Sequence, residues 1–183
     1  MKKVYLFLAN GFEEVEGLTV VDLLRRAGIE CLTVSITGEL LLTSSHNIAI
    51  HADRLFEDGA LSDADMLVLP GGMPGTSSLL AHEGLKSLLL SYAADKKYIA
   101  AICAAPSVLG AHGLLEGKKA TCYPGFEEKL TGADCTRDNV VTDGNIITSR
   151  GLGTAIEFAL ELITVLTDTH MATEVATSIQ YYM

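Results

Sequence analysis

Along the chain, apolar runs of strand length alternate with segments whose apolar positions recur every three to four residues. The runs predict strands at Val4–Ala9, Cys31–Ile36, Met66–Leu69, Tyr98–Ile102, Ala120–Tyr123 and Ile146–Ser149. The helical periodicity predicts Glu14–Ala27, stopped by Gly28, then Leu79–Asp95, Ala105–His112, Thr154–Leu166 and a last helix near Met171–Ser178. Two further stretches read as antiparallel ribbons: Leu40–Ala52, and "VVTDGNIITS", in which Asp143-Gly144 is a two-residue hairpin signal. Strands apolar on both faces and separated by helices imply an α/β fold whose mostly parallel sheet is covered on both sides. With no repeat, low-complexity tract or linker, 183 residues suffice for one substantial core, so a single domain spanning 1–183 is expected.

In such a sheet, ligands and catalytic groups gather outside the carboxyl ends of the strands. Those ends read "LANGFEEVE", "VLPGGMPGTSS", "AAICAAP" and "TSRGLGT", so a cysteine, carboxylates and glycine loops have a place to converge. Cys103 stands between a strand and a helix with Ala101 and Ala105 two residues away on either side, the spacing of a strained strand-to-helix elbow. Pro106 suits the first helical turn, whose unpaired amides and dipole favour a thiolate. The alternative for a lone thiol is a buried, inert core residue.

A second residue bears on that choice. At about 100° per residue, Glu16 falls among Val20, Leu23, Leu24 and Ala27, opposite Asp22, Arg25 and Arg26, whereas Glu14 falls toward the charged side. A carboxyl on a buried face must be paired or protonated, and desolvation raises its pKa. Facing Cys103, a protonated Glu16 would donate a hydrogen bond to the thiolate and exchange protons with a substrate. Glu13 and Glu14 read as an acidic first turn stabilised by the helix dipole.

Composition narrows the partners. Thirteen basic against twenty-three acidic side chains give a net charge of −10, which disfavours nucleic acid and anionic membranes and points to a small molecule or a protein. The apolar run after Lys2 and Lys3 stops at Asn10, Gly11 and Glu13, too short for export or a membrane span, so a cytoplasmic protein is expected. Four scattered cysteines without a C-x-x-C pair give no disulfide framework or zinc site, and the five histidines form no metal pattern on a helix. "PGGMPG" at 70–75 lacks the Lys-Ser/Thr of a phosphate loop, while "GLGTA" at 151–155 is only a fragment of a dinucleotide fingerprint. The acidic loop after the first strand would repel a flavin phosphate, so no cofactor and no metal are expected.

"LANGFEEVE", "DLLRRAGI", "VLPGG", "AAICAAP" and "TSRGLGTAIEFAL", in order from Val4 to about Leu166, resemble the ThiJ/PfpI superfamily, and within it the DJ-one subfamily. The tail "QYYM" is similar to the bacterial YajL-like type. The resemblance implies a flavodoxin-like three-layer sandwich, class I glutamine amidotransferase-like, that forms a homodimer, with the elbow cysteine at Cys103 and a protonated partner at Glu16. It places the backbone amides of Gly71, Gly72 and Ala104 around the sulfur. It sets His46 near a dimer interface at a position that often carries arginine, and matches Arg26 and Arg150 to basic positions of the family. The implied activity is a cofactor-free deglycase or glyoxalase acting on methylglyoxal or its early adducts, a small aldehyde or glycated substrate. The alternative is a redox sensor or redox-regulated chaperone working through oxidation of Cys103. Tyr123 stands where the human-type protein has a histidine near the thiol, and Ala104 replaces the histidine of the protease-like branch, so peptidase activity is not expected.

Overall fold

The computed structural model describes residues 1–182, so the final residue of the "QYYM" tail lies outside the described residues. Its organising element is β1 (Lys3–Leu8), whose alternating side chains are buried on both faces. β1 pairs in parallel with β2 (Glu30–Ser35). Between β2 and the next long strand lie β3 (Leu41–Thr43), β4 (Ala49–His51) and β5 (Arg54–Leu55). The sheet continues from β1 through β6 (Met66–Leu69) and β7 (Tyr98–Ile102). After the short β8 (Lys119–Ala120) and β9 (Asp134–Cys135), it closes with β10 (Val140–Asp143) and β11 (Ile146–Ser149). The seven-stranded order is β10-β11-β7-β6-β1-β2-β5, and only β10 is antiparallel to its neighbour.

The period-2 alternation of β1 divides the core. Val4, Leu6 and Leu8 face α1 (Glu14–Arg26), α5 (Ala155–Leu166) and α6 (Thr169–Ser178), packing with Val20, Phe158 and Val175. Tyr5 and Phe7 face the other layer, formed by α2 (Gly75–Ala81), α3 (Glu83–Ala94) and α4 (Pro106–Ala111), with Leu79, Leu89 and Val108. A three-layer, flavodoxin-like sandwich is the result, as expected.

Several boundaries differ from the sequence reading. The expected Leu79–Asp95 helix is broken at His82, whose backbone leaves the helical region (ψ 101°) and whose ring Nδ1 accepts the Leu85 N–H at 2.9 Å, capping a new helix. The strand expected at Ala120–Tyr123 is confined to Lys119–Ala120, which pairs in parallel with β9 in a separate two-stranded sheet rather than joining the main one. Beyond it, the Thr121 N–H is taken by the Thr148 hydroxyl (2.9 Å) and the Tyr123 N–H by the Cys103 carbonyl (2.8 Å), so no ladder forms. Ala105 precedes α4 instead of opening it.

The expected ribbon within Leu40–Ala52 is β3–β4, paired from Leu41↔His51 to Thr43↔Ala49. The second ribbon also forms. Its register closes at Asp143↔Ile146, so the turn residues are Gly144 and Asn145, one position later than the expected Asp143-Gly144, with Gly144 at φ +63°. Among the described residues, no helix is long and apolar enough to cross a membrane.

Candidate active site

The carboxyl ends of β1, β6, β7 and β11 deliver one cluster. At the end of β7 the chain turns directly into α4, and Cys103 sits at φ +67°, a left-handed conformation that costs a residue with a Cβ about 1–2 kcal/mol. Two backbone bonds hold the bend: the Cys103 N–H donates to the Ser149 carbonyl (2.9 Å) on β11, and the Cys103 carbonyl accepts from Tyr123. The thiol is half-buried, and the small side chains of Ala101, Ala104 and Ala105 around it are fully or almost fully buried.

Glu16 approaches from the first turn of α1 and is 1% exposed. Its Oε2 accepts the Gly71 N–H at 3.0 Å, and its own N–H donates to Glu13 Oε2 at 2.7 Å, the side-chain cap of α1. The Glu13 N–H in turn donates to the Gly71 carbonyl (2.9 Å), locking the β1 loop to the glycine loop after β6. Burial pushes the Glu16 carboxyl up to about 7; the nearby Glu13 charge adds to this, while hydrogen bonds from Cys103 and from the Gly71 and Leu152 amides oppose it.

Burial also pushes the Cys103 thiol up to about 12, with the Glu16 carboxylate raising it further while charged and the Ala104 and Gly72 amides opposing. The two groups therefore titrate as a pair. Once Glu16 is neutral its repulsion of a thiolate vanishes, and its O–H joins the Gly72 and Ala104 amides as a donor toward sulfur. Cys31 and Cys122, 2% exposed, are pushed up to about 12 and about 11 by burial, and neither has such a partner.

Of the residues singled out in the sequence, Cys103, Glu16, Gly71, Gly72 and Ala104 meet in this cluster. The Gly71 amide, however, is engaged by Glu16, and of the three amides those of Gly72 and Ala104 act to lower the thiol's pKa. Arg150 lies beside the cluster, in a depression of about 280 Å³ lined by Tyr123, Asn139, Leu152 and Thr154; its Nη1 is buried without a partner. A larger cavity of about 1000 Å³, between Arg137, Glu157 and Tyr181, contains none of the cluster. Arg26 is at the far end of α1 from Glu16, paired on the surface with Asp22 at 2.8 Å. His46 stands on the β3–β4 turn, 2.8 Å from Glu14 Oε1.

Glu14 corrects the helical-wheel reading. Rather than facing the charged side in water it is 7% exposed, because the β3–β4 turn folds over it and Ser45 and His46 bond its carboxylate. Its carboxyl lies below the ordinary value even though burial pulls it up, since its own backbone amide, Ser44 and His46 outweigh that pull. Sequence reasoning also missed Glu13 as the cap that fixes Glu16. The signal was available in the acid-x-x-acid spacing of Glu13 and Glu16 at the start of a helix.

A parallel three-layer sandwich with a cysteine at a strand-to-helix elbow defines a flavodoxin-like α/β protein of the elbow-cysteine class. A family model described as the DJ-1/PfpI family matches residues 2–165, and the chain belongs to that family. Protein DJ-1 homolog B of Arabidopsis thaliana is 40% identical over 177 residues, which cover 96% of this chain and 40% of the relative. The chain thus spans less than half the length of that relative and of the related homolog A. A Caenorhabditis elegans relative named glutathione-independent glyoxalase DJR-1.2 is 35% identical over 161 residues, covering 84% of this chain and 82% of the relative. The solved structure of oxidized Toxoplasma gondii DJ-1 superposes with a TM-score of 0.96 at 36% identity, covering all of both chains.

Proposed function

We propose that this chain is a cofactor-free, cysteine-dependent glyoxalase or deglycase acting on methylglyoxal or its early adducts. The observation that carries this reading is the buried Glu16 carboxyl, raised to about 7, set against the half-buried Cys103 at the elbow. The glyoxalase name of the nematode relative supports the substrate class.

In the proposed reaction, the Cys103 thiolate adds to the aldehyde carbon, and the alkoxide formed takes a proton from Glu16 while the Gly72 and Ala104 amides stabilise it. The Glu16 carboxylate then removes the proton from that carbon to give an enediolate and returns it to the neighbouring carbon, while the hydroxyl proton on the first carbon passes to the oxygen of the second, giving an enzyme-bound lactoyl thioester. Water hydrolyses the thioester, releasing lactate and restoring the thiol. The net change is one aldehyde plus one water to one hydroxy acid, with no external oxidant or reductant. A homodimer belongs to the same proposal; Val15 on α1 and Leu41 and Ile48 on the adjacent ribbon are exposed apolar residues suited to a partner surface.

The test is proton NMR of methylglyoxal conversion to lactate without glutathione. Cys103→Ser and Glu16→Gln are each expected to reduce turnover by about 100-fold or more; unchanged turnover in either overturns the proposal.

A second reading, a redox sensor, is favoured by the donors around the sulfur: Gly72 and Ala104 amides and a neutral Glu16 would hold the oxygens of a sulfinate. Peroxide would then oxidise Cys103 selectively. Equal modification of the exposed Cys135 removes that reading.

A further inference from the structure

On the opposite face of the sheet from α1 and the β3–β4 ribbon, a recess of about 340 Å³ opens between α2, α4 and the short helical turn Glu127–Lys129. Neither Cys103 nor Glu16 lines it. Gly110 on α4 lets the turn close in, since a Cβ there would meet the Lys129 carbonyl and lie 2.8 Å from Leu130 Cα. That bare backbone sets Phe126 and Lys129 beside Ala111, the last residue of α4, while α2 supplies the facing wall through Thr76 and Leu80.

The recess is apolar inside and charged at its mouth. Thr76 and Ser107 are buried, and their hydroxyls donate inward, to the Gly72 carbonyl (2.9 Å) and the Ala104 carbonyl (2.6 Å). With those protons engaged, neither offers a donor to a ligand. Met73 and Leu80, 52% and 37% exposed, leave apolar surface open at the mouth, and the unbranched Met73 adapts to the shape of what it meets. The single charged residue of the lining is Lys129, whose Nζ stands 4.5 Å from the centroid of the Phe126 ring. Among the described residues no carboxylate oxygen lies within 4.0 Å of that nitrogen, although the chain carries twenty-three acidic side chains against thirteen basic ones and Glu127 and Glu128 share its turn. A cation left unpaired in so acidic a chain, at the edge of an apolar recess, is suited to an anionic ligand.

We propose that this recess is a second small-molecule site, for an amphipathic monocarboxylate. Met73, Leu80, Ala111 and Phe126 hold its aromatic or branched apolar body, and Lys129 pairs with its carboxylate. The volume is at the lower end of the range for ligand pockets, about 300–1000 Å³, and an apolar lining with one placed charge is their usual composition. A second charge on the ligand would have no partner in the lining, so dianions and zwitterionic amino acids are disfavoured. The site does not depend on the chemistry proposed for Cys103, and the surface proposed for a homodimer, on α1 and the β3–β4 ribbon, lies on the other side of the sheet.

Titration of the full chain with hydrocinnamate, a phenyl ring on a short carboxylate chain, tests the site by amide NMR shifts; the probe has no electrophilic carbonyl for the thiol. Wild type and Cys103→Ser are expected to bind one molecule saturably and with equal affinity, with shifts centred on α2, α4 and the stretch from Phe126 to Thr131. The uncharged hydrocinnamamide should bind about threefold more weakly. Lys129→Met, which keeps an apolar stem beside Phe126, should bind acid and amide alike, and Ala111→Phe, which fills the recess, should bind neither. No saturable shift in wild type, equal binding of acid and amide by wild type, or wild-type affinity in Ala111→Phe overturns the proposal. Loss of binding in Cys103→Ser overturns it too, by placing the probe at the elbow. Ala111 and Lys129 are both exposed, so their replacement leaves the core intact.

Discussion

The Gly71 amide holds the Glu16 carboxyl at 3.0 Å on a residue whose missing side chain makes the contact possible. A Cβ built on Gly71 would lie 2.6 Å from Glu16 Oε2 and 2.6 Å from Cys103 Cβ. Gly71 is therefore required by close approach, not by an unusual φ, and the Cys103–Glu16 distance is set by a backbone with nothing on it.

Gly71→Ala is accordingly expected to push the two groups apart. Overpacking of this kind costs about 1–3 kcal/mol, and urea unfolding should show it together with loss of methylglyoxal turnover. Wild-type stability and turnover would mean that the loop shifts freely.

The elbow itself makes a different prediction. Cys103 holds φ +67°, where a Cβ is disfavoured and glycine is not. Cys103→Gly should therefore be more stable than Cys103→Ala by about 1 kcal/mol, measured by chemical denaturation. Equal stability would place the strain elsewhere.

A pH dependence of stability follows from Glu16. Its carboxyl is raised from 4.5 to about 7 on folding, so between those values the folded chain keeps a proton that the unfolded chain has released. The stabilisation is complete below pH 4.5 and is lost as pH rises through about 7. At about 1.4 kcal/mol per pH unit the span amounts to on the order of 3 kcal/mol. Unfolding free energies of wild type and Glu16→Gln, compared from about pH 5 to 8, should diverge accordingly; parallel profiles would mean that Glu16 is ionised throughout.

Much of this was legible in the sequence, for identifiable reasons. The central strands β1, β6 and β7 are short, almost continuous apolar runs, and the turn from Ile102 to Pro106 admits few conformations other than an elbow. Glu16 was found because its place on the apolar side of α1 contradicts its charge. What escaped depends on chain-distant contacts. Glu14 is buried only because the β3–β4 turn covers it, the Gly71 amide is occupied by a residue 55 positions away, and His82 interrupts a helix by capping the next one. Ala120–Tyr123 looked like a sheet strand because it is apolar, but two of its amides are claimed by Thr148 and Cys103.

The most direct test of the pair is residue-resolved mass spectrometry of iodoacetamide labelling from about pH 5 to 9. If neutral Glu16 and the Gly72 and Ala104 amides stabilise a thiolate, Cys103 should label at about pH 6, ahead of the exposed Cys135 and the buried Cys31 and Cys122. Glu16→Gln, which cannot exchange the proton, should change that profile for Cys103 alone. If Cys103 labels no faster than Cys135 at any pH, burial governs the thiol, and the elbow holds an inert cysteine.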